Sequence, residues 1–289
     1  MSDTPKHRLR FAPSPNGYLH LGHAYSALQN EKVARELGGE LLVRVEDIDI
    51  ERCRKSFEEA LFDDLAWLGI EWQPPARRQS EHFADYANAL DGLRARGLLY
   101  PCFCTRSDVT RVVGGARDWR RDPDGTPLYP GTCRHMSEDE RIHRLNAGQN
   151  AALRINMDEA MGLAGMRLGW CEFGEGDAPR DVSAEPALWG DAVIGRKDIP
   201  ASYHIAVVVD DALQGISDVV RGQDLFDATS LHRLLQALLD LDAPHYHHHT
   251  LLRDSSGDKL SKSARAKSLR SLREEGFTRQ DVRRRLGFS

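Results

Sequence analysis

What this 289-residue chain lacks narrows it first. No stretch approaches the roughly 18 consecutive apolar residues of a membrane span. Its start, Met1 to His7, has no apolar core of the kind that marks a secretory signal. The expectation is a cytoplasmic protein with no membrane partner. Cysteine is scarce and odd in number, at Cys53, Cys102, Cys104, Cys133 and Cys171. In a cytosolic chain that favours metal binding or free thiols over disulfides. Lys and Arg (39) are outnumbered by Asp and Glu (44), and the net charge of −5 excludes indiscriminate nucleic-acid binding, because counterion release needs many phosphate contacts. A partner gripped by a local basic patch is still allowed. Neither GxGxxG nor GxxxxGK[ST] occurs, so neither a nicotinamide fold nor a P-loop is indicated. There is no internal repeat and no low-complexity tract.

What is present begins with one stretch, Arg10-Phe11-Ala12-Pro13-Ser14-Pro15-Asn16-Gly17-Tyr18-Leu19-His20-Leu21-Gly22-His23. Leu9 to Phe11 reads as a short strand, stopped by prolines that cannot continue a central ladder. The helix after Gly22 places Ala24, Ala27, Leu28, Ala34 and Leu37 near one face, and Gly38-Gly39 ends it. Leu41 to Val45 is a buried-strand candidate, which completes a βαβ unit. Ligands of such units bind at the carboxyl ends of the strands, where Arg10, Ser14 and Glu46 would meet. Glu46-Asp47-Ile48-Asp49 alone reads as a solvated loop or helix cap. At the end of that strand, a carboxylate there can hold an ammonium group.

Two amphipathic helices follow, one on Phe57, Leu61, Leu65 and Leu68, the other on Tyr86, Leu90 and Leu93, with Gly69 and Gly97 as stops. From about Tyr100 to Pro186 a polar, Gly- and Arg-rich block reads as an insertion. It includes a capping box at Ser137 and a strand at Ala151 to Ile155. Tyr203 to Asp211 then reads as an apolar strand with an acidic end, and Ile216 to Val220 as a second strand ending in Arg221. A helix carrying Leu231, Leu234, Leu235, Leu238 and Leu239 follows them. That order suits the second half of a doubly wound sheet, with Tyr203 and Arg221 facing the pocket of Arg10. Basic residues crowd the tail after Lys259.

Three clusters carry candidate chemistry. His20 and His23, three apart, share a face at a helix start, where phosphate is attracted. By spacing alone such a pair is structural, and the four-residue metal spacing with an intervening glutamate is absent. Cys102, Cys104 and Cys133 offer three thiolates without a fourth, at a CxC spacing tighter than the common CxxC. Reduced thiols and a metal site are equally compatible with that spacing, with Tyr129 or His135 as a further ligand. His245 to His249 reads as structural or surface rather than metal-binding.

These motifs together resemble the class I aminoacyl-tRNA synthetases. His20-Leu21-Gly22-His23 is similar to their HIGH signature, and Lys259-Leu260-Ser261-Lys262-Ser263 to their KMSKS loop, with leucine where methionine is usual. Arg10 to Pro15, Glu46 to Asp49, Ala206 to Gly215 and Val219 to Gly222 resemble the glutamyl branch, so the likeness spans nearly the whole chain. It implies an α/β fold with a Rossmann-type doubly wound parallel sheet, an inserted zinc-binding subdomain and a short helical C-terminal segment. The implied divisions are 1–99 and 187–245 for the two catalytic halves, 100–186 for the insertion and 246–289 for the lysine loop and tail.

The resemblance also implies ATP-dependent activation of L-glutamate, with Mg²⁺ on the ATP and His20, His23 and Lys262 catalytic. Glutamate would be held by Arg10, Phe11, Ala12, Pro13, Ser14, Glu46, Tyr203 and Arg221. ATP would be held by His20, Gly22, His23, Lys259, Leu260, Ser261, Lys262 and Ser263, the lysines clamping the triphosphate. Cys102-x-Cys104 followed by Tyr129-x-x-x-Cys133 is similar to the glutamyl-queuosine tRNA(Asp) synthetase family, which implies one structural zinc on those four residues. The long segment between the two pairs departs from that family's pattern. Little chain follows Ser263 to build helical anticodon-binding domains. The resemblance therefore implies a monomer whose acceptor is the queuosine base in the anticodon of tRNA(Asp), not a 3′ end. The competing expectations are a split glutamyl-tRNA synthetase and a non-catalytic, zinc-dependent RNA-binding module.

Overall fold

The computed structural model describes residues 7–116, 118–165, 167–174, 178–252 and 267–288. The lysine loop, Lys259 to Ser263, lies outside the described residues. The first half runs β1 (Arg8–Phe11), α1 (Leu21–Glu36), β2 (Glu40–Val45), α2 (Lys55–Leu68), β3 (Gln73–Arg78) and α3 (Phe83–Ala95). Next come β4 (Leu99–Cys102), α4 (Arg106–Val113), α5 (Glu138–Asn146), β5 (Ala152–Ile155), α6 (Met157–Ala164), β6 (Gly169–Glu172), β7 (Arg180–Ser183) and β8 (Val193–Gly195). The chain continues as α7 (Tyr203–Leu213), β9 (Asp218–Gly222), α8 (Ala228–Leu238), β10 (His245–His249), α9 (Leu269–Glu274) and α10 (Arg279–Arg285).

β1, β2 and β3 pair in parallel, as do β9 with β10 and β10 with β6, while β7 closes an edge antiparallel. The two groups meet where β9 runs beside β1. There the Ser217 N–H donates to the Arg8 carbonyl at 3.0 Å, and the Arg8 N–H to Ser217 Oγ at 2.9 Å. The result is a doubly wound layer whose strand order reverses between β1 and β9, the place where open α/β sheets bind ligands. The segment 100–186 sends β4 and β5 into a small antiparallel sheet with β8, and β6 and β7 to the edge of the main layer.

Strand alternation decides what reaches each face. Leu9, Phe11, Leu41 and Val43 enter the core built with α1 and α2. Arg10 and Arg44, between or beside them, reach Asp211 on α7 instead. α9 and α10 close the first core with Leu269, Leu272, Val282 and Leu286. Two ion pairs fasten them, Arg273 to Asp64 at 2.8 Å and Arg283 to Glu31 at 2.9 Å.

One element differs in kind from its expectation. Tyr203 to Asp211 is a helix, α7, not a strand. It packs between α3 and α8 in the second core and is buried along Ile205 to Asp211. A helix buried all round shows no polar stripe, so its apolar run has no period that separates it from a strand. The acidic pair ending that run, Asp210 and Asp211, is unfavourable at a helix C-terminus by dipole alone. Arg10, Arg44 and Arg77 offset it. The histidine run 245–249 is an interior strand, and its residues 247–249 are buried, which makes it structural and not surface. No described helix is long and apolar enough to cross a membrane.

Candidate active site

A cavity of about 370 Å³ opens at the carboxyl ends of β1 and β9. Arg10, Phe11, Ala12, Pro13, Ser14, Glu46, Tyr203 and Arg221 all line it, and His23 from α1 borders it. The turn after β1 supplies the floor, and the Glu46 N–H donates back to the Pro13 carbonyl at 3.0 Å, tying the ends of β1 and β2 together. Ser14 Oγ lies 3.7 Å from Cys53 Sγ, so that thiol is a neighbour of the cavity wall.

The two arginines differ in how much of each guanidinium is committed. Arg221 gives Nε to His248 Nε2 (3.1 Å), Nη1 to His232 Nδ1 (3.2 Å), and Nη2 to Thr229 Oγ1 (2.7 Å) and the Leu225 carbonyl (3.2 Å). Arg10 gives only Nε, to Asp211 Oδ1 at 2.9 Å, among the described residues. Its terminal fork is the one free to take a carboxylate in a paired fashion. Burial raises the Glu46 carboxyl above the usual range, against the pull of Arg44 and then Arg10. Burial likewise pushes the Tyr203 phenol up to about 12. Asp211 is buried too, yet Arg10 and Arg44 hold it below the usual carboxylate range.

His20 caps α1. Its Nδ1 accepts the Gly22 N–H at 3.0 Å, and its own N–H donates to His23 Nδ1 at 3.2 Å. A ring nitrogen that accepts carries no proton, so Nε2–H is the remaining donor on both rings. Burial lowers His20, and burial with His20 beside it lowers His23 to about 3. Both are neutral donors at pH 7. Gly22 is required for this arrangement, since a Cβ there would stand 2.9 Å from His20 Cε1. Gly22→Ala is therefore expected to slow adenylate formation at least tenfold, while thermal stability changes little. Pyrophosphate exchange and a melting curve measure the two.

In the insertion, the three cysteine sulfurs lie within 4.8 Å of one another. Cys104 Sγ is 3.6 Å from Cys133 Sγ and 3.4 Å from Tyr129 Oη. A zinc tetrahedron with Zn–S near 2.3 Å has S···S edges of about 3.8 Å, so the donor set fits that ion. Hydrogen bonds from Cys102, then from Tyr129, hold the Cys133 thiol below the ordinary cysteine range. The Arg154 guanidinium lies over the Tyr129 ring at 3.9 Å and supplies positive charge beside the thiols. His135 is absent from this cluster.

Sequence reasoning missed the residues behind the wall. Arg44, Asp211, His232, Thr229 and His248 hold the lining side chains without having been singled out. A legible signal existed for Arg44, a charge inside the apolar run Leu41 to Val45, because charged residues are almost never fully buried unless paired. The Lys259 to Ser263 part of the expected ATP site lies outside the described residues.

The family described as tRNA synthetases class I (E and Q), catalytic domain, matches residues 6–289. The chain is 42% identical over 285 residues to a glutamyl-Q tRNA(Asp) synthetase of Rhodobacter capsulatus, covering 96% of this chain and 99% of that one. It is 37% identical to a glutamate–tRNA ligase of Aquifex aeolicus, covering 94% of this chain but 54% of the other. The crystal structure of a glutamate-tRNA synthetase from Elizabethkingia anophelis superposes with a TM-score of 0.71 at 25% identity, covering 94% of this chain and 54% of that one.

Proposed function

The chain belongs to the tRNA synthetases of class I (E and Q), and from that membership we propose that it joins L-glutamate to ATP as glutamyl-adenylate and transfers glutamate to the queuosine base in the anticodon of tRNA(Asp). The observation that carries the amino-acid assignment is one cavity that brings together an arginine fork left unpaired among the described residues, a second arginine, a carboxylate and a phenol beside two neutral imidazoles. Arg10 takes a carboxylate of glutamate, Arg221 supplies a fixed positive wall, and Glu46 takes the ammonium. Glutamate's α-carboxylate is ionised at pH 7, so its oxygen needs no general base to attack the α-phosphorus. The new C–O–P bond forms as the bond to pyrophosphate breaks. The chain's work is to hold two anions together and stabilise the leaving charge. The Nε2–H donors of His20 and His23, at the positive end of α1, serve that charge, and Lys262 with Lys259 complete the clamp. Mg²⁺ accompanies ATP on its phosphates.

Incubation with ATP, labelled glutamate and tRNA(Asp), with and without queuosine, tests this reading. Label on queuosine-containing tRNA(Asp) alone is expected. Label on unmodified tRNA(Glu) would replace it with 3′-end charging, and absence of any adenylate would leave only RNA binding.

One zinc ion would sit on Cys102, Cys104, Tyr129 and Cys133 and close the insertion covalently where its apolar core is small. None of the four lines the cavity. Chelation, or Cys133→Ala, is therefore expected to remove one zinc by metal analysis and to cut transfer to tRNA at least tenfold. Adenylate formation should stay within threefold of the untreated protein.

A further inference from the structure

The cavity's charges rest on two residues that do not line it. Arg44 is fully buried, and the Asp211 side chain is 7% exposed. One carboxylate oxygen, Asp211 Oδ1, accepts from Arg10 Nε at 2.9 Å and from Arg44 Nη1 at 2.8 Å. Arg44 Nη1 also reaches Gln214 Oε1 at 3.0 Å, and Arg44 Nη2 lies 3.5 Å from Glu46 Oε1. The chain Arg10–Asp211–Arg44–Glu46 thus alternates in sign from one wall of the cavity to the other. We propose that Arg44 and Asp211 are a positioning pair, Asp211 aiming the Arg10 fork and Arg44 keeping Glu46 as a carboxylate, so that the cavity accepts an anionic amino acid and not its amide.

The inference rests on the amino-acid assignment above and adds how its selectivity arises. Five charged groups meet here: Arg10, Arg44 and Arg221 against Glu46 and Asp211. Their excess of one positive charge matches the net single negative charge of glutamate. Glutamine, with no net charge, would leave that excess buried and unpaired, which is costly. The neighbouring Asp210 also pairs with Arg44, 3.9 Å from its Nε, but its hydrogen bonds come from Arg77 Nε (2.7 Å), Gln79 Nε2 (2.8 Å) and the Tyr86 hydroxyl (2.9 Å), so Arg77 balances its charge. The groups that face Glu46 are therefore Arg44 and Arg10 on the strands and Asp211, Asp210 and Tyr203 on α7. Arg44 is the nearest cation to it. Burial already raises the Glu46 carboxyl, with Arg44 first and Arg10 next pulling it down, so loss of Arg44 moves its titration further up.

The test uses the full chain with Arg44→Met, Arg44→Lys and Asp211→Asn. The carboxyl resonance of Glu46 is titrated by carbon-13 NMR and assigned with Glu46→Gln. Glutamate- and ATP-dependent pyrophosphate exchange is followed from pH 6.5 to 8.5. In Arg44→Met the Glu46 titration is expected to move up by more than about one pH unit, a tenfold change in proton affinity. The KM for glutamate should rise at least tenfold at pH 6.5 and recover in part at pH 8.5, with the KM for ATP within twofold. Asp211→Asn should raise the glutamate KM at every pH without moving the Glu46 titration upward. Either of two results would overturn the proposal: Glu46 titrating unchanged in folded Arg44→Met, or the two KM values rising together. Should Arg44→Met fail to fold, Arg44→Lys decides, since a lysine cannot span Asp211 and Glu46 at once and must move the same titration upward. Wild-type protein without glutamate-dependent exchange would sink the amino-acid assignment, while the Glu46 titration would still decide the role of Arg44.

Discussion

Arg10→Leu is expected to raise the KM for glutamate by roughly a thousandfold, the equivalent of about 4 kcal/mol. The magnitude follows from what is left behind. Arg10 is buried at the floor of a cavity of about 370 Å³, and removing one partner of a buried charge pair costs about 3–5 kcal/mol. Arg221 cannot substitute, because four of its N–H groups are held by His248, His232, Thr229 and Leu225. The fold should survive the change. Asp211, which loses Arg10, keeps Arg44 at 2.8 Å. Arg10→Lys is expected to recover less than a tenth of the loss, since an ammonium lacks the planar fork. Pyrophosphate exchange at varied glutamate measures this, with the KM for ATP changing less than threefold. An equal rise in both values would remove Arg10 from the amino-acid side of the cavity. Arg221→Leu should behave differently, lowering the melting temperature, because it strands the acceptors of four hydrogen bonds.

The contrast between these arginines also marks how far the sequence could be read. β1, α1 and β2 were legible because punctuation bounds them, Pro13 and Pro15 after the first strand and Gly38-Gly39 after the helix. With those bounds set, Arg10, Ser14 and Glu46 had to arrive at one end of the sheet. α7 was not legible, since Tyr203 to Asp211 is apolar on every side and carries no period. Read as a strand, its two aspartates looked like a strand end. As a helix buried against the sheet, it turns them back onto Arg10, Arg44 and Arg77. The histidine shell was equally hidden. His232 lies on α8 and His248 on β10, and only the packing of helix on sheet brings both to Arg221. In the insertion the four donors were named, but CxC spacing alone could not say that Tyr129 joins the thiols and His135 does not.

That histidine shell makes the fold sensitive to acid. Burial, and Arg221 after it, lowers His204 to about 4 and takes His232 well below the ordinary value of 6.5. His23 stands at about 3. Below about pH 6.5 the unfolded chain binds protons at these imidazoles and the folded chain does not. Stability therefore falls as pH falls, by about 1.4 kcal/mol per pH unit for each such histidine, until each reaches its folded value. From pH 7 to 4.5, His23 and His204 together account for a loss of about 5 kcal/mol. Asp64 works the other way. Burial raises its carboxyl to about 6, so the folded state gains about 2 kcal/mol over the same span. The net loss from these three, about 3 kcal/mol, is a large share of the roughly 5–15 kcal/mol that holds a typical domain. His232 adds to the loss, because a proton on its Nδ1 would meet the Arg221 N–H that now donates to it at 3.2 Å. Urea titrations at pH 7, 6, 5 and 4.5 should show midpoints dropping with each step. Flat midpoints would mean that the histidines are already charged in the fold, and that Arg221 is not held by acceptors. Substituting His232 with asparagine, which keeps an acceptor but cannot take a proton, should make the decline shallower by one histidine's share.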